Sequence, residues 1–153
     1  MMDFSFYKEL LNGAKIIDIN RTCDMVYFDF ISEKGEKFYL HAQCFIRIYD
    51  HDNLIICSQD MLRRSAKLKR WQRFNWAKTG KTLFDDTVSE NKEKICSSKI
   101  IFAEINEKKD VALNLENNIR LELFTQITTS DDPLYSEDYR FLCDDEITDH
   151  FVV

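Results

Sequence analysis

Two alternating runs set face to face across one glycine constrain this chain more than anything else in it. From Asp24 to Ile31, Val26, Phe28 and Phe30 fall on one face and Met25, Tyr27 and Asp29 on the other. In residues 37–49, Phe38, Leu40, Ala42, Cys44, Ile46 and Ile48 share a face, and Tyr39, His41, Gln43, Phe45, Arg47 and Tyr49 share the opposite one. A period of two marks a half-buried strand, because successive Cβ atoms point to opposite sides of the pleat. The intervening "SEKGEK" supplies a hairpin turn around Gly35.

The same pattern recurs along the chain. "KIIDINR" reads as a short strand, and "LIICS" as another after the turn "DHDN". "SKIIFAEI", "VALNLEN" and "IRLELFTQ" read as three strands joined by "NEKKD" and "ENN". "YRFLC" and "HFVV" are short terminal strands, and "TTSDDPLYSED" is the expected mobile loop. Asp3 or Ser5 opens a short helix over "FYKELLN", with Gly13 as its stop. "DTVSENKEKI" predicts a short, charge-rich helix or turn. The expected fold is a single α+β domain over 1–153, with a predominantly antiparallel sheet, curved or split in two. A short N-terminal helix and few others complete it.

With only three glycines and one proline, the chain cannot supply a Gly-rich phosphate cradle, which needs backbone approach without side chains. That excludes P-loop and dinucleotide-fold chemistry. No run of about 18 apolar residues predicts a membrane span. The start "MMDFSFYKELLNGAK" lacks the basic opening and apolar centre of a signal peptide. Five cysteines with no CxxC pair predict free thiols in a reducing cytoplasm, and no cofactor or metal is expected.

Charge is unevenly spread. "RRSAKLKRWQRFNWAKTGK", Arg63 to Lys81, holds eight of the 21 cations, both tryptophans and none of the 27 acids, which leaves the rest of the chain at −14. Residues 131–149 carry eight acids against one cation, Arg140. Such polarity steers association with a charged partner, or pairs internally. Cations interleaved with Trp71, Phe74 and Trp76 also suit single-stranded nucleic acid. That reading is the weaker one, because the whole chain has a pI near 5.1 and a dedicated binder shows a wider basic footprint.

Three chemical alternatives attach to the second alternating run. His41 and Cys44, with His51 and Cys57 near in sequence, suggest a metal site. On one regular strand, however, His41 and Cys44 point to opposite faces. His41 as a general base is the enzymatic alternative, with Tyr27 and Asp29 on the neighbouring strand and Gln43 and Arg47 alongside. Against it stands the simpler expectation of a half-covered polar face in which Arg47 pairs with an acid. Cys44 packs as a small apolar residue rather than acting as a nucleophile.

Several stretches in order resemble a family of small bacterial immunity-like proteins, found in toxin–immunity and contact-dependent inhibition loci. They are Arg21-Thr22-Cys23-Asp24-Met25, "LHAQCFIRI", "IICSQDM", Trp76 with "GKTLFDD", "NNIRLELF" and "EDYRFL". The resemblance spans roughly residues 15–143, and only the ordered set carries it. The chain departs from the pattern at Ile46, where a tryptophan is usual, and in its longer, more basic 63–73 stretch. The resemblance implies a cytoplasmic, non-enzymatic protein that occludes a cognate toxin. It makes Arg21, Asp24, His41, Gln43 and Arg47 framework polar residues. An acidic tail of Asp144, Asp145, Glu146 and Asp149 suits a basic toxin such as a nuclease. Arg63, Arg64, Lys67 and Lys69 are the candidate variable surface or the tail's internal match.

Overall fold

The computed structural model describes residues 3–126, 137–145 and 147–153. Helix α1 (Phe4–Leu11) begins at Asp3 and hands over to Gly13 in the left-handed region, φ +79°. Its buried side, Phe4, Tyr7 and Leu11, repeats at helical spacing. Five strands follow: β1 (Lys15–Thr22), β2 (Met25–Ile31), β3 (Lys37–Ala42), β4 (Phe45–Asp50) and β5 (Asn53–Cys57). A 3-10 turn at Ser58–Leu62, an irregular loop and helix α2 (Leu83–Cys96) come next. Strands β6 (Ile100–Ile105), β7 (Val111–Leu115), β8 (Ile119–Phe124), β9 (Tyr139–Cys143) and β10 (Phe151–Val152) complete the described order.

The strands form two five-stranded antiparallel sheets, β1-β2-β3-β9-β10 and β5-β4-β8-β7-β6. The expected split falls inside the second alternating run. Residues 37–49 are not one strand: β3 belongs to the first sheet and β4 to the second. The chain turns at Gln43 and Cys44, whose N–H groups both donate to the Asp138 carbonyl at 2.8 and 3.0 Å. Alternation survives the corner. Leu40, Ala42, Cys44, Ile46 and Ile48 stay buried, so one inward face runs through both sheets into a shared core.

Phenylalanine fills much of that core. Phe30 and Phe38 are cross-strand partners with rings stacked 4.9 Å apart, and Phe28, Leu40 and Phe141 form an inward row across β2, β3 and β9. Aromatic and β-branched pairs of this kind are the unit of sheet stability. Helix α1 lies against β6, and its Phe4 and Tyr7 reach Phe141 and Phe151. Helix α2 packs against β1 and β5 through Phe84, Val88 and Ile95. At 14 residues it exceeds the short element expected from its charge-rich sequence. A capping box explains its firm start: the Asp85 N–H donates to the Thr82 hydroxyl oxygen, while the Asp85 carboxylate accepts from the Thr82 N–H. No helix among the described residues is long and apolar enough to cross a membrane.

Candidate functional site

The basic loop has no regular structure between Leu62 and Leu83, yet its course is fixed. Its two ends are zipped together: the Ser65 N–H donates to the Lys81 carbonyl at 3.0 Å, and the Leu83 N–H to the Arg63 carbonyl at 2.8 Å. Beneath them lies Arg21, a β1 residue whose side chain is almost wholly buried. Its guanidinium grips Asp85 with two bonds of 2.6 and 2.7 Å. The remaining donors go to the carbonyls of Cys23 (2.6 Å), Trp76 (2.9 Å) and Lys78 (3.0 Å). Thr79 returns a bond to the Arg21 carbonyl. The planar fork of arginine suits this task, because one rigid head meets a carboxylate and several carbonyls at once.

Asp85 is the other half of the knot. Besides Arg21, it accepts from the N–H groups of Gly80, Lys81 and Thr82 and from the Thr82 hydroxyl. Burial pushes its carboxyl up, but the bonds from Arg21 and Thr82 outweigh burial and hold it below the ordinary carboxylate range. Next to it, Asp86 accepts from the Ser65 hydroxyl at 2.8 Å and from the Ala66 N–H at 3.2 Å. Two consecutive acids in the first turn of α2 thus tie down both limbs of the loop, at a helix end that favours negative charge.

The tied loop presents a cationic aromatic surface. Trp71, Phe74 and Trp76 are 77, 38 and 42% exposed. With Arg73, Lys78 and Lys81 they line a groove of about 670 Å³. Arg64 is spent inside the loop, on the carbonyls of Gln72 and Lys69. Arg63 lies 3.7 Å from Asp60, and Lys67 3.9 Å from both Asp86 and Glu90. Lys69, Arg70, Arg73, Lys78 and Lys81 make no ion pair among the described residues. Lys69 Nζ instead sits 5.9 Å from the Trp71 ring centre.

The five framework polar residues do not converge. Arg21 is the knot. Asp24 and Gln43 are exposed and share a smaller cleft of about 190 Å³ with Met61, Leu62 and Trp76, so Trp76 walls both cavities. His41 lies on the outer face of the first sheet, edge-on to Tyr27 with ring centres 4.9 Å apart. Arg47 is on the other sheet, paired with Glu122 at 3.1 Å and stacked over Phe124 at 4.4 Å. The set expected around His41 comes together only in part: Tyr27 faces it and Asp29, on the same face of β2, acts on it electrostatically, whereas Gln43 sits at the corner and Arg47 lies beyond it. Burial and then the Arg140 charge lower the His41 pKa, which keeps the imidazole neutral near pH 7. Arg140 itself is held by Glu137 at 2.6 Å.

Cys44 points inward at the corner, away from His41, and burial raises its thiol to about 12. All five cysteines are free. No group of three potential metal ligands exists among the described residues. In the tail, Asp144, Asp145 and Asp149 are exposed, and Glu146 lies outside the described residues, as do positions 127–136, which include most of the loop expected to be mobile. Asp144, Asp145 and Asp149 form no ion pair with Arg63, Arg64, Lys67 or Lys69 among the described residues. Asp145 turns to its own segment and accepts from the N–H groups of Ile147 and Thr148 and from the Thr148 hydroxyl.

Sequence reading passed over Thr82, Asp85 and Asp86 as functional residues. The Thr-x-x-Asp spacing around the apolar pair Leu83-Phe84 was the available signal. Comparison with protein-family models, curated proteins and solved structures finds no match.

Proposed function

We propose that this is a non-enzymatic, immunity-type protein that binds and neutralises a protein toxin in the cytoplasm, with the loop of residues 63–82 as its docking surface. One observation carries the docking assignment. An irregular, cation-rich loop is fixed by a buried arginine knot while its tryptophans and five of its cations are left unspent. Ordering a loop in advance removes an entropic cost that would otherwise weaken binding. Exposed tryptophan and arginine are the residue types that dominate interface energies. Neutralisation by occlusion asks for a rigid surface of this kind rather than for reacting groups. The toxin as partner rests on the ordered sequence resemblance. The tail gives less to such a surface, since Asp145 is engaged with its own turn.

The test is capture of the partner from the native host, with its identification, followed by growth protection on co-expression. A toxin-bearing chain should be recovered. A variant with Arg70→Ser, Arg73→Ser and Lys78→Ser should melt like the parent yet fail to protect. Protection that survives in this variant, or a bound partner that proves to be nucleic acid, would overturn the assignment.

A further inference from the structure

Trp76 stands between two clefts of opposite character. On one side is the groove of about 670 Å³, with Arg73, Lys78 and Lys81 in its wall and no acid among the described residues. On the other is the cleft of about 190 Å³, with Asp24, Gln43 and Gln59 in its wall and no cation among the described residues. Arg21 sets the two in register. Its Nη1 donates both to the Cys23 carbonyl at 2.6 Å and to the Trp76 carbonyl at 2.9 Å. Cys23 and Asp24 form the turn between β1 and β2. The guanidinium that holds the Trp76 backbone therefore also holds the residue beside Asp24. Asp24 is exposed, and its carboxylate makes neither a hydrogen bond nor an ion pair among the described residues. It has no internal work, like the surplus cations of the loop, and it carries the opposite sign. Leu62, 59% exposed, continues the apolar surface from Trp76 into this second cleft.

We infer that the surface takes a protein segment with two opposite poles that crosses Trp76: an acidic residue in the groove, an apolar residue against the Trp76 ring, and a lysine or arginine at Asp24. This deepens the docking assignment and rests on it. Charge complementarity supplies the order of the three, and the exposed tryptophan supplies the contact area between the poles. Nucleic acid satisfies only one pole. A phosphate chain that fills the groove and continues past Trp76 meets Asp24, which repels it. A uniformly acidic protein surface meets the same repulsion. Interfaces reject wrong partners by such like-charge contacts, so Asp24 acts here as a specificity-determining residue. Two unlike poles also fix the direction in which the segment lies, which a patch of one sign does not.

Trp71 and Trp76 are the chain's only tryptophans, so their emission reports probes bound at this surface. Three capped peptides of equal length, without aromatic residues, are titrated into the full chain. The mixed peptide has glutamates, a leucine and lysines in that order; the acidic peptide has glutamates on both sides of the leucine; the neutral one has glutamines instead. An oligothymidylate is the nucleic-acid probe. At about 0.05 M salt, where screening is weak, the mixed peptide should bind about fivefold more tightly than the acidic one. Asp24→Asn should remove that margin and Asp24→Lys should reverse it, both melting like the parent because Asp24 has no internal partner. Arg73→Ser with Lys78→Ser should weaken both charged peptides and leave the neutral one unchanged. Equal binding of the mixed and acidic peptides overturns the inference, as does a margin that survives Asp24→Asn. So does tighter binding of the oligothymidylate than of the mixed peptide, or emission that no peptide alters. Failure of the docking assignment shows separately, as growth protection that survives Arg70→Ser, Arg73→Ser and Lys78→Ser. A toxin captured through the loop with equal affinity by the parent and by Asp24→Asn would sink this inference and leave that assignment standing.

Discussion

The loop of 63–82 and the segment of 144–149 both stand out in the sequence as dense runs of one charge, yet the structure treats them differently. The loop is irregular for about 20 residues and is held by groups outside it, namely Arg21 on β1 and Asp85 and Asp86 on α2. Its own cations are mostly left over. The segment is held largely from within, where the Asp145 carboxylate accepts from the backbone amides of Ile147 and Thr148. Charge density alone therefore does not mark a docking surface. What marks one is a fixed backbone whose charged heads have no internal work.

The knot is where that comparison breaks first. Arg21→Met leaves Asp85 without its main counter-charge in a largely buried place, and breaking such a pair costs about 3–5 kcal/mol. The melting temperature should fall accordingly, and trypsin should cut within 63–81 under conditions where the parent resists. The matching change in the tail, Asp145→Asn, should leave melting nearly unchanged. A smaller effect is expected from Asp86→Ala. It strands the buried Ser65 hydroxyl and the Ala66 N–H, a loss of about 1–3 kcal/mol, and should loosen only the first limb of the loop.

Acid sharpens the contrast. Asp85 and Asp145 both titrate below the ordinary aspartate value, about 3.9: Asp85 because the bonds from Arg21 and Thr82 outweigh its burial, Asp145 mainly through the Thr148 bonds. A carboxyl depressed in the folded state contributes stability above its unfolded value. That contribution is lost as pH falls through the folded value. Between about pH 5 and 7 neither region should change. Below about pH 4, loss of the Asp85 charge should free the loop, seen as a step in Trp71 and Trp76 emission. Asp85→Asn should remove the step, whereas Asp145→Asn should leave it in place.

The smallest effect on stability, and the most useful one, comes from the loop's surplus cations. Arg70→Ser, Arg73→Ser and Lys78→Ser together should shift unfolding free energy by no more than about 0.5 kcal/mol each, as exposed charges do. A larger destabilisation would mean that these heads have structural work and that the loop resembles the tail after all.

Much of the fold was legible because one face of each strand is buried. Val26, Phe28 and Phe30 could be placed inward from spacing alone, since a one-residue slip would turn them out to solvent. The corner between β3 and β4 was not legible. Alternation runs through Gln43 and Cys44 without a glycine or proline, and the bend is stabilised by the distant Asp138 carbonyl. The length of α2 was obscured because Phe84, Val88 and Ile95 are few among charges and its stability comes from packing on β1 and β5. For the site, Arg21 and the basic loop were visible separately. Their connection was not, because Arg21 and Asp85 stand 64 residues apart and the bonded partners in the loop are mostly backbone carbonyls.

Backbone amide exchange across residues 63–82 at neutral pH tests most directly whether the body fixes this loop. The account predicts protection at Ser65, Ala66, Gly80, Lys81 and Leu83, whose N–H groups are bonded to Asp85, Asp86 or the opposite limb. These amides should exchange at least about 100-fold more slowly than in an unstructured chain, and Arg21→Met should abolish the protection while the sheets keep theirs. Exchange at unstructured rates throughout 63–82, in a parent protein whose strands are protected, would contradict it.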